Sequence, residues 1–384
     1  MSRPGRRRRA RRVAVVTGTR AEYGPLRSTL EAIAARADLT LQLVVTGMHL
    51  LKRFGRTVDQ ILADGWRVDA RVPMQTGDDD PLDQARGLSR GVEGIARFLA
   101  SAATDVVLVL GDRIEAMAGA LAAATTGRLL AHVHGGDVAQ GDFDDRFRHA
   151  ITKLAQVHLA ATRAARRRII RMGEEPRRVH WVGAPGLDRV FELSGQRRAP
   201  RGRSGQALIV YHPTGRAPAT ERQVMTRILN VVNGAGLFRT VIYPNTDRGH
   251  AGVIEAIESH GRGPGGRSMR AFRSMDRDAY LRALMDADVI VGNSSSGIIE
   301  AGPAGTPAVD VGARQRGREP SGPSVVHAEE STEAIRAALQ RALRQRPISG
   351  RRTVYGSGAA GPKIAAILAA LPLDDAFRRK INAY

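Results

Sequence analysis

The segment Gly292-Asn-Ser-Ser-Ser-Gly-Ile-Ile-Glu300 has the residue types needed to hold a diphosphate. Glycine and serine between a strand and a helix turn backbone N–H groups and hydroxyls toward a common point. A helix start adds unpaired donors and partial positive charge there. Asn293, Ser294, Ser295, Ser296 and Gly297 are therefore candidates for contact with an anion. Glu300, about a turn and a half further on, is placed to accept hydrogen bonds from ribose hydroxyls. The same pattern would also serve as a plain serine cap with Glu300 in solvent.

Five further clusters carry titratable or cationic groups. In Gly18-Thr-Arg-Ala-Glu22, Arg20 and the backbone at Ala21 can meet a phosphate, while Glu22 is equally suited to capping the helix that follows. Asp112, after a buried apolar run and a glycine, reads either as a helix cap or as a partly buried carboxylate fit for acid–base work; Arg113 lies beside it. His134-Gly-Gly-Asp137 brings an imidazole and a carboxylate close together in a tight loop. In Asp144-Asp-Arg-Phe-Arg-His149, Arg148 falls one helical turn from Asp144, and His149 one turn from Asp145. His212 closes another strand, where its ordinary pKa suits proton transfer. Asn245 and Arg314 complete the candidates, each at a further strand end. His and Asp can ligate metals, but the spacing matches no metal motif, so none is expected.

The elements that position these groups are short apolar strands alternating with helices. Val13–Thr17, Leu41–Thr46, Val106–Leu110 and Leu129–Val133 form one series, and Ala207–Tyr211, Thr240–Tyr243, Ala287–Val291 and Ala308–Val311 a second. Such alternation predicts parallel sheets with right-handed crossovers, in which ligands collect at the carboxyl ends of the strands. Each chemical cluster sits at such an end or in the segment that follows it. The expected fold class is therefore α/β, with two Rossmann-like domains and a substrate cleft between them. Residues 13–193 form the first domain, a Gly/Arg/Pro/Ser-rich linker spans 194–206, and 207–361 form the second domain; a helix at Pro362–Leu371 and a polar tail complete 362–384.

Composition narrows the function class. The net charge is +21, yet seven of the 59 Lys and Arg lie within Arg3–Arg12, read as a disordered basic leader over residues 1–12. Only 4% of residues are aromatic, too few for base-stacking platforms, which argues against a nucleic-acid partner and for an anionic small substrate. There is no cysteine, which removes disulfides and thiolate chemistry and fits a cytoplasmic setting. No apolar run approaches the ~20 residues of a membrane helix, and no secretory signal is evident.

Taken in order, the clusters resemble the UDP-N-acetylglucosamine 2-epimerase family, in particular its hydrolysing branch, which feeds sialic- and legionaminic-acid-type sugars. The resemblance runs from Val13 to about Gly317. It rests on Thr17–Gly24, Gly111-Asp-Arg113, His134–Asp137, Asp144–Lys153, Val182–Asp188, Tyr243-Pro-Asn245, Gly292–Glu300 and Arg314–Glu319. It implies a GT-B-like fold and no cofactor. The substrate would be a nucleotide sugar (UDP-N-acetylglucosamine or a diacetamido relative, UDP- or GDP-linked), and family habit implies a homodimer. The implied reaction removes the C2 proton, expels nucleoside diphosphate and hydrates the glycal to an N-acetylmannosamine-type sugar. Asp112, Asp144 and His212 match catalytic positions, and Arg20, Ser295, Ser296 and Glu300 match nucleotide-binding ones.

One departure stands out. Many family members carry Glu where this chain has His134, so either His134 or Asp137 would have to supply that group. A non-hydrolysing epimerase, a glycosyltransferase of the same architecture and a non-catalytic nucleotide-sugar binder are the competing readings.

Overall fold

The computed structural model describes residues 9–78, 80–140, 144–195, 205–345 and 353–383. Thirteen strands form two wholly parallel sheets among these residues. The first contains β1 (Arg11–Thr17), β2 (Leu39–Thr46), β3 (Ala70–Val72), β4 (Val106–Leu110), β5 (Leu129–Val133), β6 (Val157–Ala160) and β7 (Val179–Trp181). The second contains β8 (Gln206–Val210), β9 (Phe238–Ile242), β10 (Met269–Phe272), β11 (Val289–Gly292), β12 (Ala308–Val311) and β13 (Val325–Ala328). The expected pair of α/β domains is what the chain forms. Val13, Val15, Val106, Leu108, Val289 and Val291 are fully buried, as central parallel strands covered by helices on both faces require.

Strand order decides where a ligand can sit. The first sheet runs β3-β2-β1-β4-β5-β6-β7 and the second β10-β9-β8-β11-β12-β13. Each reverses direction once, between β1 and β4 and between β8 and β11. A crevice opens at such a point beyond the strand ends, because the flanking helices leave on opposite faces. Gly292 shows how tight the second crevice is. Its φ is +141°, and a Cβ there would lie 2.0 Å from the carbonyl oxygen of Val210 on β8.

Three features differ from the sequence reading. The strands β3, β6, β7, β10 and β13 are additional to those read from the sequence; β3 and β7 carry only three residues each, too few to show a period. Arg11 and Arg12 belong to β1, not to a disordered leader, because partners hold them: Arg11 donates to the carbonyls of Leu368 and Leu371, and Arg12 to that of Ala102 (3.0 Å). Residues 1–8 of that leader, and 196–204 of the expected linker, lie outside the described residues. The helix Ala360–Ala370 also returns to the first domain and packs on the helix Arg20–Ala34. Asp188 accepts hydrogen bonds from the N–H groups of Ala360 (2.9 Å) and Gly361 (2.8 Å) at its start. Ile364, Ala365 and Leu368 enter the same core as Val13 and Leu26.

Candidate functional site

The carboxyl ends of β1, β4, β8 and β11 face one cavity of about 230 Å³ between the two sheets. Arg20, Ala21, Glu22, Asp112, Arg113, His134, Asp144 and Arg148 line it from the first domain; His212, Asn245, Ser294, Ser295, Ser296, Glu300 and Arg314 line it from the second. Four candidates do not reach it. Asp137 lies behind His134, and Asn293 pairs with the main chain of His212, accepting from its N–H and donating to its carbonyl (2.7 Å each). Gly297 is buried in its helix, and His149 is half-buried outside the cavity.

Six arginines and four carboxylates line the cavity, so its field is positive. Most of these arginines are committed to partners. Arg148 forms an ion pair with Asp112 and donates to the carbonyl of His134 (3.0 Å). Arg314 reaches Asp144 (3.1 Å) and the carbonyl of Asn293 (3.2 Å). Arg277 pairs with Glu300, and Arg318 donates to the carbonyl of Val138 (3.2 Å). Arg20 differs: among the described residues its guanidinium has neither a hydrogen-bond acceptor nor a carboxylate. Burial lowers its pKa to about 10, still well above neutrality, so it presents an uncompensated cation.

The acids are tuned by the same packing. Burial, then the neighbouring Glu115, pushes Glu22 up to about 8. Its Oε2 accepts from the N–H groups of Gly18 (2.6 Å) and Thr19 (3.2 Å), so Glu22 caps the helix Arg20–Ala34 besides lining the cavity. Asp144 is raised by burial despite Arg314. Glu300, expected to meet a ribose, accepts from Ser296 Oγ (2.6 Å) as well as from Arg277. The helix that Ser294 caps spans only Ser295–Ile299, shorter than the segment implied, so guanidinium groups supply more of the positive field here than a helix dipole does.

The histidines differ in which nitrogen is free. Asn245 N–H donates to His212 Nδ1 (3.2 Å). A backbone N–H can only donate, so neutral His212 carries its proton on Nε2. Burial, then Arg314, lowers His212 to about 3 and keeps it neutral. His132, wholly buried and also pushed down to about 3 by burial, contacts the Gly111 carbonyl through Nε2 (2.7 Å) and Thr152 through Nδ1 (3.2 Å), fixing the turn that presents Asp112.

Several lining residues escaped the sequence reading. Arg277 and Tyr280 sit on a helix, Arg277–Asp286, that no motif marks. Arg318 and Gln315 follow Arg314 closely in the chain; Asp247, just past Asn245 and not itself on the cavity, holds Arg113 across the cleft at 2.9 Å. The signal of Arg277 and Arg318 was weak because Arg is frequent throughout this chain.

Comparison with known proteins fits this architecture. A family model described as UDP-N-acetylglucosamine 2-epimerase matches residues 31–369. The chain belongs to the UDP-N-acetylglucosamine 2-epimerase family. It is 33% identical over 381 residues to a UDP-N,N'-diacetylbacillosamine 2-epimerase (hydrolyzing) of Legionella pneumophila, covering 97% of this chain and all of that one. It is 32% identical to a UDP-N-acetylglucosamine 2-epimerase of Neisseria meningitidis, over 86% of this chain and 87% of that one. The fold matches the crystal structure of the UDP-GlcNAc 2-epimerase from Neisseria meningitidis bound to UDP-GlcNAc, with a TM-score of 0.73 and 15% identity over 93% of this chain and 99% of that one. The chain is thus a nucleotide-sugar 2-epimerase with the family's two-sheet fold. Among the described residues, no group of three potential ligands could hold a metal ion, and no helix is long and apolar enough to cross a membrane.

Proposed function

We propose that the protein is a hydrolysing 2-epimerase acting on a UDP- or GDP-linked N-acetyl-hexosamine, releasing nucleoside diphosphate and an N-acetylmannosamine-type free sugar. The observation that carries this reading is the uncompensated Arg20 cation in a cavity that also presents His212 Nε2–H and the Ser294–Ser296 loop. These are donors suited to a departing diphosphate, held in place before charge develops. Asp112 and Asp144, on the first domain with Arg20 and facing His212 and the serine loop, are the groups suited to the pyranose ring.

The chemistry balances without a cofactor. A base takes the C2 proton, the C2–H electron pair forms the C1–C2 double bond, and the C1–O bond breaks with its electrons on the diphosphate. Water then supplies hydroxyl to C1 and a proton returns to C2 from the opposite face, inverting that centre. Asp144, biased toward its protonated form by burial, is suited to return that proton. Asp112, anchored by Arg148, is suited to orient the sugar or the incoming water. The Legionella relative, named as hydrolyzing, supports this branch and a diacetamido sugar. The Neisseria relative, named simply as an epimerase, keeps the non-hydrolysing reaction as the second reading.

NMR in heavy water separates the two. Incubation with UDP-N-acetylglucosamine, or with UDP- or GDP-linked diacetamido sugars, is expected to yield free nucleoside diphosphate and a C2-deuterated, manno-configured free sugar. Deuterated nucleotide sugar without release supports the second reading instead. Saturable binding without turnover or exchange defeats both.

A further inference from the structure

His134 and Asp137 are packed in a way that the ordinary loop after a parallel strand does not require. His134 is one of four non-glycine residues described with positive φ, at +63°. An L-residue there costs roughly 1–2 kcal/mol, and such strain persists only where the surroundings enforce it. Here the enforcement is visible. The His134 N–H donates to the Leu159 carbonyl (3.2 Å), its own carbonyl accepts from Arg148, and its ring Nδ1 meets Asp137 Oδ2 at 2.9 Å. The backbone turn, the carbonyl and one ring edge are all fixed, and the other ring edge is left on the cavity.

Asp137 is 4% exposed and does not line the cavity. Although burial opposes it, the hydrogen bond from His134 lowers the Asp137 pKa, so it is an ionised acceptor. Nδ1 must then donate. Neutral His134 therefore has its lone pair on Nε2, which has no protein partner among the described residues. His212, across the cleft, has the complementary arrangement: Nδ1 is occupied as an acceptor and Nε2 carries the proton.

Resting on the hydrolysing-epimerase reading above, in which His212 Nε2–H faces the departing diphosphate, we infer that His134 Nε2 is the base that removes the C2 proton and that Asp137 is the positioning residue that holds it in the basic tautomer. The C2 proton passes to Nε2, giving an imidazolium stabilised by Asp137, and the C1–O electrons leave with the diphosphate against His212. The charged groups near the dyad include the guanidiniums of Arg148, Arg168 and Arg318 and, beyond Arg148, the Asp112 carboxylate; the neutral His132 ring and the Tyr355 hydroxyl are also close. This gives the carboxylate of Asp137, not of a Glu at position 134, the task of setting the base.

The test follows C2–H exchange in heavy water and uridine diphosphate binding, on the full chain. His134→Gln, which keeps a hydrogen-bonding side chain, is expected to lose exchange by at least about 100-fold with diphosphate affinity unchanged within twofold. His134→Glu is expected to restore part of it, with the acidic limb of the pH profile moved down into the carboxylate range. Asp137→Asn is expected to lower kcat with little change in KM and to shift that limb to lower pH, because the imidazolium loses its counter-ion. If the wild type turns over while His134→Gln exchanges at its rate, or if the acidic limb of Asp137→Asn stays at the wild-type pH, this assignment is overturned and the proposed function stands. If the wild type neither exchanges nor releases diphosphate from any of the sugars, the proposed function fails and the assignment fails with it.

Discussion

Arg113 and Asp247 meet across the cleft, guanidinium Nη1 to carboxylate Oδ1 at 2.9 Å, both nearly excluded from solvent. One follows β4 in the first sheet and the other follows β9 in the second, so this buried ion pair, like Arg314–Asp144, joins the two domains beside the cavity. Arg113 also lies 3.3 Å from Glu115, and Asp247 accepts from Asn245 Nδ2.

Removing one partner of a buried pair leaves the other charge uncompensated. Asp247→Ala is therefore expected to lower stability by about 3 kcal/mol, toward the lower end for such pairs because Glu115 remains beside Arg113. Urea unfolding measures this, and a loss under about 0.5 kcal/mol, the size of an ordinary surface substitution, would show that the contact carries little.

Arg20→Ala removes the one cavity guanidinium with neither a hydrogen-bond acceptor nor a carboxylate partner among the described residues. Charge-assisted hydrogen bonds are worth about 1.5–3 kcal/mol, so uridine diphosphate should bind roughly 10- to 100-fold more weakly by calorimetry, with Arg20→Lys intermediate. Unaltered affinity in Arg20→Ala would mean that the diphosphate lies elsewhere.

Asp112→Asn is expected to abolish C2 exchange while leaving diphosphate binding within about threefold, since the donors for the diphosphate sit mainly on the other domain and on Arg20. It also strands Arg148, 2% exposed, next to an amide. The variant should therefore unfold at lower urea concentration, by an amount on the order of 2 kcal/mol or more. Wild-type exchange in this variant removes Asp112 from the mechanism.

The pH dependence of stability follows from buried histidines. His49 and His132 are fully buried and pushed down to about 3 by burial, against an ordinary 6.5. Between those limits the unfolded chain binds protons that the folded one refuses, so stability falls as pH falls below about 6.5. Two such groups give a limiting slope of up to about 2.7 kcal/mol per pH unit near pH 5. Glu22 runs the other way. Raised to about 8, it contributes stability below its ordinary 4.5 that is lost as pH rises to 8, which flattens the profile in that window. Urea unfolding from pH 7.5 to 4.5 should show the decline, and stability that is level or rising toward pH 4.5 would contradict the burial of His49 and His132.

What could be read from the sequence alone was whatever depends on near neighbours along the chain. An apolar β-branched run followed by glycine and polar residues places those residues at a strand end, wherever the strand lies in its sheet. Asp112, His134, His212 and Ser294–Ser296 were legible for that reason, as was the i, i+4 placement of Asp144 and Arg148 on one helix face. The short strands β3 and β7, three residues each, left no period to detect.

The tertiary structure alone decided partners and protonation. Arg314 and Asp144 lie 170 positions apart and Arg113 and Asp247 134 apart, and nothing local distinguishes these arginines from the unpaired Arg20. The closing helix Ala360–Ala370 packs on the first domain because Asp188 and the Leu26 core await it there, a fact no nearby residue encodes. The two cavity histidines are one residue type with opposite free nitrogens, because one ring nitrogen meets a carboxylate and the other a backbone N–H. Chain-local chemistry selects which residues can act; the contacts made in the folded chain, some within one loop or one domain and others between the sheets, select the charge and proton each one carries.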